Sequence, residues 1–255
     1  MSRSRTILIG IVALLMAVPL ALAAQRGGGL GRWLGGVRSY DNVRYDGRYT
    51  FVRIAYRGYS RWSADWPVME QNLTTMLKEL TAVRARNPET NVLTLDDPEL
   101  MKFPVAYLTE PGSWYPNNAE VLGLRDYLAK GGFLIVDDFH YANEWRVFED
   151  AMMRVLPDAQ IDTLDVSHPI FNSFFTIQSL KVPYPGQLGE MGLMGEFYGI
   201  HEDNDPGDRL MVVINYNMDI GDYMEWSGEK GFYPQTPTNE AYKFGINYVV
   251  YGLTH

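Results

Sequence analysis

The stretch from Leu124 to His140 constrains the fold more than any other part of the chain. It starts as a helix end, turns at Gly131-Gly132 and continues as the apolar run Phe133–Val136. An unbroken apolar run of this length is typical of a strand that is covered on both faces. Two carboxylates and a histidine follow at the carboxyl end of this strand, which is where open α/β sheets bind their ligands. These three residues are Asp137, Asp138 and His140.

Strand and helix patterns alternate along the rest of the chain. Strands are predicted at 51–56, 92–95, 103–109, 133–136 and 210–215, and helices after Asp65, after Asn117, from about Asn143 and at 240–251. Asp65 is expected to cap the first helix, and Asn117 with Glu120 forms a pattern typical of a capping box. Alternation of this kind predicts an α/β three-layer sandwich with a mostly parallel, flavodoxin-like sheet.

The first 48 residues differ in composition from the rest. Arg3 and Arg5, the apolar run to Leu20 and Ala21-Leu22-Ala23 predict a signal peptide over 1–23, cleaved near Ala23. A Gly-rich leader is expected over 24–48 and a single domain over 49–255. We expect an exported, periplasmic or extracellular protein. The alternative is an uncleaved segment that anchors the chain in the inner membrane, which would be its one link to a membrane.

Charge and cysteine content narrow the possible functions. The chain of 255 residues has a net charge of −9, which argues against a nucleic-acid partner because phosphate binding needs a basic face. It has no cysteine, so a thiol nucleophile and a thiolate metal site are both excluded. A P-loop, a G-x-G-x-x-G fingerprint and a G-x-S-x-G elbow are also absent from the sequence. The cofactor, if there is one, is not predicted.

Five ordered blocks resemble a bacterial family, domain of unknown function 4159, over about Tyr49 to Thr254. The blocks are Leu95-Asp-Asp-Pro-Glu-Leu100, Phe103-Pro-x-x-Tyr107-Leu-Thr109, Leu124-Arg-x-Tyr-Leu128-x-x-Gly-Gly-Phe-Leu-x-x-Asp-Asp138, His168-Pro-Ile-Phe171 and Ala241 to Tyr251. The resemblance implies a class I glutamine amidotransferase-like fold and export or membrane attachment, but no reaction. Amidotransferase activity itself is excluded, because it needs the cysteine nucleophile that this chain lacks.

Asp137 and Asp138 are the first candidate site residues. Adjacent side chains on a strand point to opposite faces, so one aspartate is expected to face the core or a helix N-terminus and the other the crevice. Asp138, His140 and His168 are candidate ligands of a divalent metal, and Asp138 with His140 are candidate catalytic groups. The structural alternative is that these side chains satisfy backbone groups in turns.

Arg57 and Trp114 follow predicted strands and complete the candidate ligand-binding set with Asp137, Asp138, His140 and His168. Aromatic rings and arginines on strand-end loops suit a sugar or a protein partner, whereas burial under the C-terminal segment is the alternative. Whether the segment Pro183–Gly199 covers the crevice is left open.

Two functions remain open at this point. One is a non-catalytic module of the cell envelope that binds a small ligand or a partner protein. The other is an uncharacterised hydrolase, with or without a metal, that uses Asp138 and His140.

Overall fold

The computed structural model describes residues 40–57 and 60–255. The predicted signal peptide and the predicted leader up to residue 39 lie outside these residues, so both stay predictions, and so does export. Within the described ranges, no helix combines the length and the apolar character that a membrane span requires.

The strands of the described chain form one mixed sheet in the order β2-β1-β3-β4-β7-β6-β5. Strands β1, β2, β3, β4 and β7 are mutually parallel, whereas β6 runs antiparallel to β7 and to β5. The bounds are β1 Val52–Ile54, β2 Asn91–Leu93, β3 Val105–Thr109, β4 Phe133–Phe139, β5 Asp162–Thr163, β6 Glu196–His201 and β7 Leu210–Tyr216. Every residue of β3 and β4 is buried, as the apolar run predicts for a central parallel strand.

Helices cover the sheet in two groups. Helix α1, the short α5 and the long α6 contact one another, and their apolar side chains join one large core cluster with the sheet. Helices α2 and α3 contact each other in a second group. The bounds are α1 Val68–Leu80, α2 Asn118–Ala129, α3 Tyr141–Val155, α4 Gln187–Glu190, α5 Ile220–Glu225 and α6 Gln235–Thr254. The predicted α/β class and the mostly parallel sheet are confirmed, and the helix groups fit a three-layer sandwich.

Of the local predictions, one is confirmed and two are corrected, and one strand is not predicted at all. The capping box of Asn117 and Glu120 is present at the start of α2. Helix α1 ends at Leu80, well before Asn87-Pro88, which the pattern favours as its stop. The antiparallel strand β6 is not predicted from the sequence. Asp65 does not cap α1, because the residue at that cap position is Pro67 and no side chain caps the helix.

A carboxylate cluster at the carboxyl edge of the sheet

Four neighbouring parallel strands deliver acidic side chains to one edge of the sheet. The order β1-β3-β4-β7 brings their carboxyl ends together, and each strand is followed by an acid within its last residues or the next loop. These acids are Asp65 after β1, Glu110 after β3, Asp137 and Asp138 in β4, and Asp219 after β7. The edge is therefore built from segments that are far apart in sequence.

Asp137 is fully buried and holds the edge together. Its Oδ2 accepts hydrogen bonds from Tyr107 Oη at 2.5 Å and from the backbone N–H groups of Ile220 and Gly221 at 3.0 and 3.1 Å. Its Oδ1 accepts from Asn215 Nδ2 at 2.9 Å. This side chain ties β4 to β3, to β7 and to the first turn of α5, so its role in the geometry is structural. The expectation that one of the two aspartates faces a helix N-terminus is confirmed.

Asp138 has a different environment from its neighbour because the backbone of β4 is irregular at this point. The pairing of β4 with β7 shifts register between Val136 and Phe139, and Asp138 has a positive φ of 60°. Bulges of this kind re-aim a side chain, and aspartate tolerates the left-handed conformation better than most residues. The Asp138 carboxylate accepts a hydrogen bond from Tyr184 Oη at 3.2 Å and is 8% exposed.

Three carboxylates converge beside this bulge. One oxygen each from Asp65, Asp138 and Asp219 lies within 4.8 Å of the others. We call these three residues the carboxylate cluster. Asp219 is 6% exposed and also caps α5, since its Oδ1 accepts from the N–H of Asp222 at 2.7 Å. Asp65 is held in a loop before α1, with a positive φ of 62°.

Gly221 leaves space next to the cluster. A Cβ at this position would lie 3.4 Å from Asp65 Oδ2 and from Asp219 Oδ1, and 3.0 Å from Tyr107 Oη. Only a residue without a side chain keeps that volume free beside the oxygens. A second set of acids adjoins the first, because Asp65, Asp222 and Glu225 also bring one oxygen each within 4.8 Å of one another.

Burial and mutual repulsion raise the pKa values throughout this edge. The pKa values of Asp138 and Asp219 are raised well above the ordinary value, first by burial and then by neighbouring carboxylates. Burial raises the pKa of Asp137 to about 6 against the opposing effect of its hydrogen bonds. The pKa values of Glu110 and Glu225 rise to about 7, mainly through burial. Ionisation of each further carboxyl group at this edge is therefore energetically unfavourable.

Arg53 and Arg61 lie near the edge, and both are paired with acids outside the carboxylate cluster. Arg53 is fully buried, and its Nε donates to Glu70 Oε1 at 2.6 Å, while Arg61 Nε lies 3.0 Å from Glu110 Oε2. Arg53 Nη1 also donates to the carbonyls of Trp62 and Ala64, which fixes the loop that leads to Asp65. Within residues 40–57 and 60–255, no ion pair joins Asp138 or Asp219 to a lysine or arginine.

The sequence-predicted site residues are only partly brought together. His140 follows Asp138 and packs edge-on against Tyr184, with ring centroids 5.3 Å apart. The ring nitrogens of His140 are not among the atoms that converge at Asp65, Asp138 and Asp219. Arg57 is exposed, three residues beyond β1. Trp114 is completely buried, as the alternative interpretation of this residue expects.

The predicted metal set of Asp138, His140 and His168 does not form. His168 contacts His201, the last residue of β6, which is paired with Leu210 at the start of β7. Because β6 runs against its neighbour, this position is the amino edge of the parallel strands. The seven residues of β7 span about 20 Å, so His168 and Asp138 lie at opposite edges of the sheet.

Sequence reasoning assigned Asp65 a different role and did not find Tyr184. Asp65 precedes Pro67 and an apolar helical pattern, so it resembles a cap. A better signal is that an acid follows each of β1, β3, β4 and β7, and carboxyl ends of neighbouring parallel strands meet. Tyr184 comes from the segment Pro183–Gly199, whose contact with this edge depends on tertiary structure alone.

The fold and the edge define an α/β protein with a buried carboxylate cluster at the carboxyl ends of its parallel strands. A family model described as "Domain of unknown function (DUF4159)" matches residues 50–253. The chain belongs to this family, as its sequence blocks indicate. No curated protein matches the chain. The relation to a glutamine amidotransferase-like fold stays a prediction.

Proposed function

We propose that this protein is a ligand-binding α/β module whose ligand at the carboxyl edge is a divalent cation. The observation that carries the proposal is the convergence of Asp65, Asp138 and Asp219, with oxygens within 4.8 Å of one another. Two of the three carboxylates are more than nine-tenths buried. Binding, without catalysis, is the function that this geometry supports best.

The electrostatic environment of the carboxylate cluster supports the binding of a cation. An ionised carboxylate that is buried without a partner is very unfavourable, so such a group either takes up a proton or binds a cation. The raised pKa values of Asp138 and Asp219 express this need, since both rise through burial and repulsion. A cation among the three oxygens would remove the repulsion and hold all three carboxylates ionised at neutral pH.

The donor atoms select the class of ion. The cluster offers carboxylate oxygens alone, which suit Mg²⁺, Ca²⁺ and Mn²⁺ better than zinc or copper. Three protein oxygens leave further positions for water or for an oxygen of a second ligand. Gly221, which has no side chain, is adjacent to two of the three donors.

Thermal unfolding of the full chain with Mg²⁺, Ca²⁺ or Mn²⁺, and with EDTA, tests the proposal. We expect at least one of these ions to raise the Tm of the wild type, because a ligand of the native state stabilises it by mass action. Asp138→Asn should abolish the rise. The matched control is Asp126→Asn, a substitution of an exposed aspartate on α2, which should keep the full response. An equal response of wild type and Asp138→Asn would refute the proposed site.

A second candidate function is a metal-assisted hydrolase with His140 as a proton acceptor. Its support is the contact of the His140 ring with Tyr184, whose hydroxyl donates to Asp138. A bound cation acidifies a water molecule, and a nearby imidazole is the usual acceptor of the released proton. Turnover of ester or phosphoester substrates that requires the cation, and that falls with His140→Gln while cation binding persists, would favour this candidate over binding alone.

A further inference from the structure

Two of the four histidines meet at the amino edge of the sheet, away from the carboxylate cluster. His201 ends β6, and His168 caps the short turn Pro169–Asn172. Their Nε2 atoms face each other at 3.3 Å. His201 is 2% exposed, so its ring is held in place by the surrounding core.

We propose that His168 and His201 bind one transition-metal ion of the zinc, copper or nickel class through their Nε2 atoms. Two imidazole nitrogens bound to one tetrahedral ion, each at about 2.0–2.1 Å, lie about 3.3 Å apart. The observed separation equals this ligand-to-ligand distance. Imidazole nitrogen suits these ions, whereas Mg²⁺ and Ca²⁺ prefer oxygen.

The far side of the His201 ring faces a carboxylate, although its Nδ1 makes no hydrogen bond in the absence of metal. Its Nδ1 lies 3.6 Å from Asp162 Oδ2 on β5. A ligating histidine commonly directs its other ring nitrogen at a carboxylate, which fixes the ring and keeps the proton off the ligating nitrogen. A proton on Nδ1, toward Asp162, leaves the lone pair of Nε2 directed at His168.

His168 has to change its tautomer to bind. Its Nδ1 accepts a hydrogen bond from the N–H of Ile170 at 3.2 Å, so in the absence of metal the ring proton is on Nε2. Metal binding transfers this proton to Nδ1 by way of solvent and replaces the Nε2–H bond with an Nε2–metal bond. The hydrogen bond from Ile170 is lost, and the neutral ring keeps one proton throughout.

A cavity next to the pair provides room for the remaining ligands. It has a volume of about 440 Å³, and its walls include both histidines, Asp162, Asp165 and Ser167. A bound ion needs at least two ligands in addition to two imidazoles, and water in this cavity can supply them. Among the described residues, no carboxylate forms a set with both histidines in which the ligand atoms lie within 4.8 Å of one another. This site shares no residue with the carboxylate cluster, so it does not depend on the function proposed above.

Calorimetric titration of the full chain with Zn²⁺ alone tests the proposal. We expect one Zn²⁺ per chain, and binding weakened by more than about tenfold in His168→Ala, since even loss of a supporting carboxylate costs about 10- to 100-fold. Asp162→Asn should give a smaller loss of affinity. The matched control is Asp126→Asn, a substitution of an exposed aspartate on α2 that belongs to neither proposed site, which should bind Zn²⁺ as the wild type does. Wild-type affinity in His168→Ala would overturn the proposal, and so would the absence of binding to the wild type.

A second measurement uses the wild type alone and needs no variant. In the wild type, ¹⁵N spectra of the imidazole rings should show the His168 proton moving from Nε2 to Nδ1 as Zn²⁺ is added. Co²⁺ should give visible absorption bands typical of a tetrahedral site. Zn²⁺-induced changes confined to His140 and His255 would overturn the proposal even if Zn²⁺ binds.

Discussion

The two edges of the sheet differ in the chemistry that they bury. The carboxyl edge collects acids from four parallel strands, and burial raises their pKa values. The amino edge pairs two histidines, and the pKa of His168 is lowered to about 4, first by burial and then by His201. The acids at the carboxyl edge therefore keep their protons to a higher pH than usual, and His168 at the amino edge stays neutral to a lower pH than usual. The comparison shows that burial of like groups favours the protonated form where the groups are carboxylates and disfavours it where they are imidazoles.

The largest effect is expected for Asp137→Ala, which tests whether the two adjacent aspartates have separate roles. The substitution leaves the Tyr107 hydroxyl and the N–H groups of Ile220 and Gly221 without their acceptor. Each buried polar group left unpaired costs about 1–3 kcal/mol, so we expect a loss of at least about 3 kcal/mol in the free energy of unfolding. Chemical denaturation measures it. Asp138→Asn, the matched control, should cost much less, and equal losses would contradict the division of roles.

An intermediate effect is expected from pH at the carboxyl edge. The folded-state pKa values are about 6 for Asp137 and about 7 for Glu110 and Glu225, each above its ordinary value. The folded chain thus binds more protons than the unfolded chain between about pH 4 and pH 7. The contribution of these groups to stability is complete below pH 4 and is lost as the pH rises through 7.

With EDTA present, we therefore expect the free energy of unfolding to fall by on the order of 2 kcal/mol between pH 5 and pH 8, a figure reduced for the solvent screening of the partly exposed Glu225 and Glu110. A divalent cation at the carboxylate cluster should recover most of this loss, and should stabilise more at pH 8 than at pH 5 because protons compete with it. Denaturation curves at the two pH values measure both effects. A fall that Mg²⁺, Ca²⁺ and Mn²⁺ all leave unchanged would contradict cation binding at this edge.

The smallest effect is expected at the amino edge and has the opposite sign. The lowered pKa of His168 means that the unfolded chain binds more protons between pH 6.5 and pH 4. The stability that the neutral ring contributes is present above pH 6.5 and is lost as the pH falls through 4. His168→Gln should flatten the pH dependence in this window by less than about 1 kcal/mol, because the side chain is only half-buried. A steeper dependence in the variant would contradict this sign.

Most of the fold was predictable from local pattern, because the parallel strands are apolar runs and the helices carry their own signals. Phe133–Val136 indicated the central strand, and Asn117 with Glu120 indicated the start of α2. Strand β6 was not predicted, since its sequence, Glu196 to His201, contains a glycine, a glutamate and a histidine and has no clear alternation. Without β6, nothing local indicates that the chain reverses direction.

The location of the candidate site could be predicted from the sequence, but the full set of residues that form it could not. Asp137 and Asp138 were found because they directly follow a buried strand. Asp65 was taken for a cap, since a local pattern cannot show that its carboxylate meets two others more than seventy residues away in sequence. The pairing of His168 with His201 depends on the reversal of β6. Both errors have the same cause, because convergence at a sheet edge is set by strand order and direction.

The reversed strand has a consequence for how the molecule can be altered. In an all-parallel sheet, every strand ends at the same edge. A substitution of one side chain at that edge therefore affects the other side chains that converge there. Here β6 ends at the other edge and carries His201 to a place that no parallel strand reaches with its carboxyl end. Substitutions at the two edges share no partner, so their effects on stability should be additive. One sheet then offers two edges whose side chains can be altered independently, and a variant library could address each edge separately.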